Sequence, residues 1–147
     1  MDDIFPQTNI KSNGNNFTTQ NRTCDTFTGI IKAIRGAKSA RNASLFAIVD
    51  LEVEGQPGVF QDFLNFNPAK ETQSMSYLVN HTKAAILSAG LTIANQDEEK
   101  DMTWVRNSWN KLMTRGAKLR FVQTMNGKGQ LDINFVSPEA EVAKADF

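Results

Sequence analysis

The chain has 147 residues, 40% of them hydrophobic and 22% charged, which is the size and make-up of one globular domain. Its 16 Lys and Arg balance its 16 Asp and Glu, so no net field steers a polyanion and a nucleic-acid site has to come from local clustering. One cysteine excludes an intrachain disulfide, and one cysteine with one histidine falls short of the usual zinc ligand set.

Residues 1–24 are rich in Asn, Thr, Gln and Ser and poor in apolar side chains, so they are expected to form a flexible N-terminal arm. The acidic start "MDDIFPQTNI" lacks an apolar run, which argues against a signal peptide. No stretch of about 18 apolar residues is present either. With the single Cys24, these features lead us to expect a cytoplasmic protein without a membrane partner.

From residue 27 the pattern becomes regular. "TFTGIIKAIR" is β-rich, and Gly29 within it signals a bulge or bend. "GAKSARNA" reads as a loop. "LFAIVDLEVE" alternates, with Leu45, Ala47, Val49, Leu51 and Val53 on one face. After the turn "EGQPG", the strand "VFQDFLNF" carries aromatic residues on both faces. Asn67-Pro68 resembles a helix start, and Met75, Leu78, Val79, Thr82, Ile86 and Ala89 recur at helical spacing up to Gly90. A second helix is expected from about Asn95, with Glu98 in a capping box, to about Arg115; Met102, Val105, Trp109 and Leu112 form its apolar stripe. "KLRFVQTM" and "QLDINFV" flank the hairpin signal "NGKG". The tail "SPEAEVAKADF" is weakly acidic.

The order β-β-β-α-α-β-β predicts an α+β, mainly β domain over residues 25–137. Its expected form is a five-stranded OB-like barrel with a helical insertion between the third and fourth strands, followed by an acidic tail over 138–147. In that fold the loop after the first strand and the loop between the last two flank a binding groove. Lys32, Arg35, Lys38 and Arg41 lie in or beside the first, Lys128 in the second, and Lys118 and Arg120 on the strand between. Cations that track phosphates and aromatic faces that stack on bases are what a single strand requires, and Phe46, Phe60 and Phe66 are the candidate stacking rings. Ordinary solubilising charge is the alternative for the cations, and core packing for the rings. No catalytic constellation, phosphate loop or metal set is visible, so neither an enzyme nor a cofactor is expected. His81 is expected at the surface or the core boundary.

The segments "SLFAIVDLEVEGQPGVFQDFLNFNPAKE", "YLVNHTKAAILSAG" and "GAKLRFVQTMNGKGQLDINFV" resemble a family of bacteriophage proteins encoded among replication and recombination genes, many of which have no assigned role or are described as single-strand-DNA-binding. The likeness covers roughly residues 25–136. It implies an OB-like fold and a role in handling single-stranded DNA during phage replication. The tip Asp146-Phe147 looks like the acidic, Phe-terminated end with which bacterial single-strand-binding proteins dock replication partners. The expectation is a single-stranded-DNA-binding protein that could self-associate. The alternative is an adaptor that recruits replication or recombination enzymes without touching DNA.

Overall fold

The structure is a computed structural model that describes residues 26–38, 45–95, 98–125, 127, 131–137 and 145–146. The expected N-terminal arm, Arg41, Lys128 and Phe147 lie outside the described residues, and Lys38 is described only as backbone.

Strands β1 (Thr26–Lys38), β2 (Leu45–Val53) and β3 (Phe60–Phe66) are followed by a 3-10 turn at Pro68–Lys70 and helix α1 (Glu71–Ser88). Then come β4 (Leu91–Thr92), helix α2 (Met102–Thr114), β5 (Leu119–Met125), β6 (Leu131–Phe135) and β7 (Ala145–Asp146). Five of the strands form one antiparallel sheet in the order β3-β2-β1-β5-β6. Strands β4 and β7 make a separate two-stranded parallel pair. The fold is thus α+β, with both helices between β3 and β5 in the chain. The barrel expected from the element order is not closed: β3 and β6 are the sheet's edges. They come within 8 Å between Cα atoms without pairing, whereas paired antiparallel strands sit at about 4.5–5.5 Å.

Two features of β1 coil the sheet. Residues Thr26–Gly29 pair with β5, whereas Gly29–Lys38 pair with β2, so Gly29 has a strand on either side. A Cβ there would lie 2.8 Å from the carbonyl oxygen of Glu52, a distance only glycine avoids. The register then slips between Ile31 and Ala33, leaving Lys32 as the extra residue of a bulge. The slip inverts the alternation. Phe27 and Ile31 point inward before it, while Ile34, opposite inward-facing Val49, does so after it.

The inward faces of the strands meet both helices. Phe27, Phe60 and Phe121 form a ring cluster with centroids 4.7–5.9 Å apart. Leu78, Ile86, Val105, Trp109 and Leu112 close over it from the helices. Asn67 caps the 3-10 turn by accepting the Ala69 N–H, and Gly90 ends α1 with a φ of 76°. The second helix starts later than the spacing suggests. Asn95 has a positive φ of 54° and belongs to the preceding turn, and Asp101 is the cap, accepting the Trp104 N–H.

Gln123 is one of several polar side chains buried among the described residues. It sits on the inward face of β5 at 1% exposure, and its Nε2 and Oε1 have no hydrogen-bond partner among the described residues. A buried amide without partners carries its full desolvation cost. Gln123→Met, close in volume and free of that cost, is therefore expected to raise stability by about 1–3 kcal/mol in chemical denaturation. A loss of stability instead would show that the amide is satisfied in solution.

Candidate nucleic-acid interface and the cleft beside it

Register places the side chains on the outer face of the sheet, opposite the helices. Arg35, Ile48 and Phe63 lie in one row across β1, β2 and β3, flanked by Phe46 and Asn65 in the row on one side and by Asp50 and Gln61 in the row on the other. Phe46 and Phe63 are diagonal neighbours, within reach of each other on a pleated surface. Phe46 is half-buried, and Phe63 is 40% exposed. Ile48 between them is buried yet stands outside the main core cluster.

Two of the expected stacking rings are corrected. Phe60, at 1% exposure, faces Leu51, and Phe66, at 4%, faces Leu45; both are core residues with no face to offer a base. Strand β3 is aromatic on both faces, so its sequence alone leaves the inward parity open. The inward leucines of β2 decide it, and they turn Phe63 outward. Phe63 is the residue that sequence reasoning missed.

The cations are distributed unevenly. Lys32 and Arg35 share the outer face because of the bulge, but both are engaged. Arg35 Nη2 bonds Asp50 Oδ1 at 2.9 Å, and Lys32 Nζ stands 3.3 Å from Glu52 Oε2. Arg120 pairs in register with Thr28 on the same face and is half-buried; Lys118, two residues before it, is exposed. The structure therefore brings Lys32, Arg35 and Arg120 to one face, with carboxylates set against Lys32 and Arg35. Of the tail residues, Asp146 pairs through its backbone with Thr92, so at that point the chain is part of a β-bridge.

Beside the outer face, a cleft of about 320 Å³ opens between the edges β3 and β6, with α1 as its floor. Its centre is a cluster that sequence reasoning assigned no role. His81 Nε2 meets Asp62 Oδ2 at 2.7 Å, with side-chain exposures of 11% and 4%. Tyr77 lies one helical turn before His81, stacks on its ring at 5.4 Å and 17°, and donates its hydroxyl to the carbonyl oxygen of Phe63 at 3.0 Å. Phe135 and Trp109 close in on the imidazole at 5.0 and 6.2 Å. His81 is thus a part-buried wall of the cleft, at the core boundary as the sequence led us to expect.

Burial opposes a charge on the imidazole, but the Asp62 carboxylate, through its charge and its hydrogen bond, outweighs this, with a smaller push from Asp132. His81 is held above the ordinary histidine value. Desolvation, then Asp62 and Asp132, push the Tyr77 phenol up, so it remains a donor. The signal for this cluster was present but indirect. Asp62 shares parity with Phe60, Leu64 and Phe66, and an acid on a core face requires a partner.

Among the described residues no three metal-ligating side chains converge, and no helix is long and apolar enough to cross a membrane. No protein-family model, no curated protein and no solved structure matches the chain.

Proposed function

We propose that the protein is a non-enzymatic single-stranded-DNA-binding protein of phage replication or recombination, and that its sheet is an OB-like barrel with an open seam. One observation carries the reading: the outer face of β1, β2 and β3 presents Phe63 and Phe46 as adjacent rings beside Arg35. An OB-fold binds its strand on that side of the sheet, between two loops; here Lys38 ends β1, and Arg41 and Lys128 follow β1 and β5 in the chain. The strand order, with the first strand between the second and the fourth of the five, agrees with it. Bases stack on the two rings, and the loop cations with Lys118 and Arg120 follow the phosphates.

Fluorescence anisotropy with a labelled single strand of ~30 nucleotides and the matching duplex, over a salt series, tests this. Tighter, salt-sensitive binding of the single strand is expected, and Phe63→Ala should weaken it by about 1–3 kcal/mol. Absence of binding at low salt sinks the proposal.

The Arg35–Asp50 and Lys32–Glu52 pairs favour a second reading, a protein adaptor whose surface charge is already matched. It predicts co-purification with a replication or recombination enzyme and no response to either DNA.

A further inference from the structure

We infer that a groove along the flank of α1 is a docking site for a short extended segment of a partner protein, one that carries basic side chains beside aliphatic anchors. The inference stands apart from the single-strand reading, since it uses neither the outer face of the sheet nor the cleft.

The sequence of α1 builds one wall. Glu71, Met75, Val79 and Lys83 repeat at four-residue spacing and form a ridge, and the small polar Thr72, Ser76 and Asn80 form the next row around the helix. At about 3.6 residues per turn, these rows border the core-facing stripe of Leu78, Thr82, Ala85 and Ile86 on one side, and Tyr77 and His81 border it on the other. Residues 98–100 build the facing wall, which is fixed from behind. The Glu98 N–H donates to the Asn95 carbonyl at 3.0 Å. Lys100 folds back over the Trp104 ring and gives its Nζ to the carbonyl oxygens of Ala94 and Asn95 at 3.2 and 2.9 Å. Asp101, next in the chain, caps α2. A wall set in advance adds little ordering cost to binding.

Shape and floor set the kind of occupant. The groove holds about 420 Å³ and follows α1 from Glu71 to Lys83, about 18 Å of helix. It is long and shallow, so it suits a chain laid along it better than a compact ligand. Met75 and Val79, half-buried and packed on the core from beneath, supply an apolar floor. They stand about 6 Å apart along the helix, close to the spacing of alternate side chains on an extended peptide.

Charge sets the sign of the partner. The Lys100 ammonium is spent on two carbonyl groups and an indole, and Lys83 is engaged as well. Glu71, Glu98 and Glu99 are exposed and pair with no cation among the described residues. Glu71 lies in the first turn of α1, where the helix N-terminus offsets part of its charge, so Glu98 and Glu99 carry most of the attraction. Thr72, Ser76 and Asn80 hydrogen-bond in either direction and favour no sign. The balance is acidic, which disfavours a phosphate-bearing ligand and favours Lys or Arg.

The probe is a fluorescein-labelled peptide, KLRLKK, whose six extended residues span about 20 Å and whose leucines share one face. Its anisotropy is followed with the full chain at about 0.15 M salt, beside the peptides ELELEE and KSRSKK. Saturable binding of KLRLKK is expected, with none of ELELEE and binding of KSRSKK weaker by about tenfold or more. Glu98→Gln and Glu99→Gln together should weaken KLRLKK about tenfold. Ser76→Lys, which sets a long cation in the groove, should abolish binding. Gln73→Lys adds the same charge to the same helix outside the lining and should stay within about twofold of wild type. All four positions are exposed, and circular dichroism checks the fold of each variant. Failure of KLRLKK to bind overturns the groove. So does equal binding of KSRSKK, or a loss in Gln73→Lys that matches Ser76→Lys, because either reduces the effect to net charge. Self-association of the wild type that Ser76→Lys abolishes would give the groove to a second copy of the chain and overturn the partner segment.

Discussion

His81→Leu is expected to destabilise the fold by about 3–5 kcal/mol, the cost of leaving a buried charge without its partner. Asp62 is 4% exposed on the inward face of an edge strand, and the imidazole 2.7 Å away is its charged neighbour there. Leucine fills comparable space but offers no donor. His81→Gln keeps a donor and should lose less, which separates the lost pairing from a packing defect. Urea unfolding of the three proteins at neutral pH checks this, and a loss below about 0.5 kcal/mol in His81→Leu would show the pair to be of no consequence.

The same pair makes stability depend on pH with a defined sign. The folded-state value of His81 is raised above the unfolded value of 6.5, so the folded state binds the proton more tightly. The contribution is fully present below 6.5 and is lost as pH rises through the raised folded value. Wild-type stability should therefore fall across that window. His81→Gln, lacking the titrating group, should show no such fall. A stability that rises there would contradict the protonated pair.

Trp109→Ala is expected to cost about 3–5 kcal/mol and to loosen α2 from α1. Trp109 is fully buried in the apolar stripe of α2. Its Nε1–H donates to Thr82 Oγ1 at 2.9 Å, and the Thr82 hydroxyl in turn donates to the Leu78 carbonyl at 2.6 Å. Truncation opens a cavity and removes the donor that Thr82 accepts from. It also strips one wall from the imidazole of His81, whose ring centroid is 6.2 Å away. Trp109→Phe fills most of the volume without the N–H, so it should retain the packing and lose about 1 kcal/mol for the hydrogen bond. Thermal unfolding of both variants tests the ranking; equal losses would mean that the hydrogen bond dominates.

Much of the local structure was legible because it follows from short-range rules. The alternation of Leu45 to Val53 identified the buried face of β2, and Gly29 marked the corner of β1. The helical stripe of Met102, Val105, Trp109 and Leu112 located the inward side of α2, three of the four being fully buried. The start of α2 was misjudged because two cap signals, Asn95 and Asp101, lie six residues apart, and the turn at Asn95 used the first of them. Strands β4 and β7 have two residues each and no periodicity to read.

The candidate site was legible only in residue type. The bulge at Lys32 inverts the alternation of β1, and no count of residues along that strand reveals it. The choice of Phe60 and Phe66 as stacking rings failed because a strand with aromatic residues at both parities is symmetric to any one-dimensional pattern. Arg35 and Lys32 look like available cations until the sheet sets Asp50 and Glu52 across from them.

By itself the sequence determined the identity of most strands and both helices, and the neutrality that rules out a global electrostatic site. Periodicity, turn chemistry and composition are properties of neighbours along the chain. Tertiary structure alone decided which face of β3 is buried, that β3 and β6 stay unpaired, and that Asp62 and His81, nineteen residues apart, share a proton at the edge of a cleft. Each of these depends on which strand lies beside which, and pairing across the sheet is fixed by the packing of the whole core rather than by any segment within it.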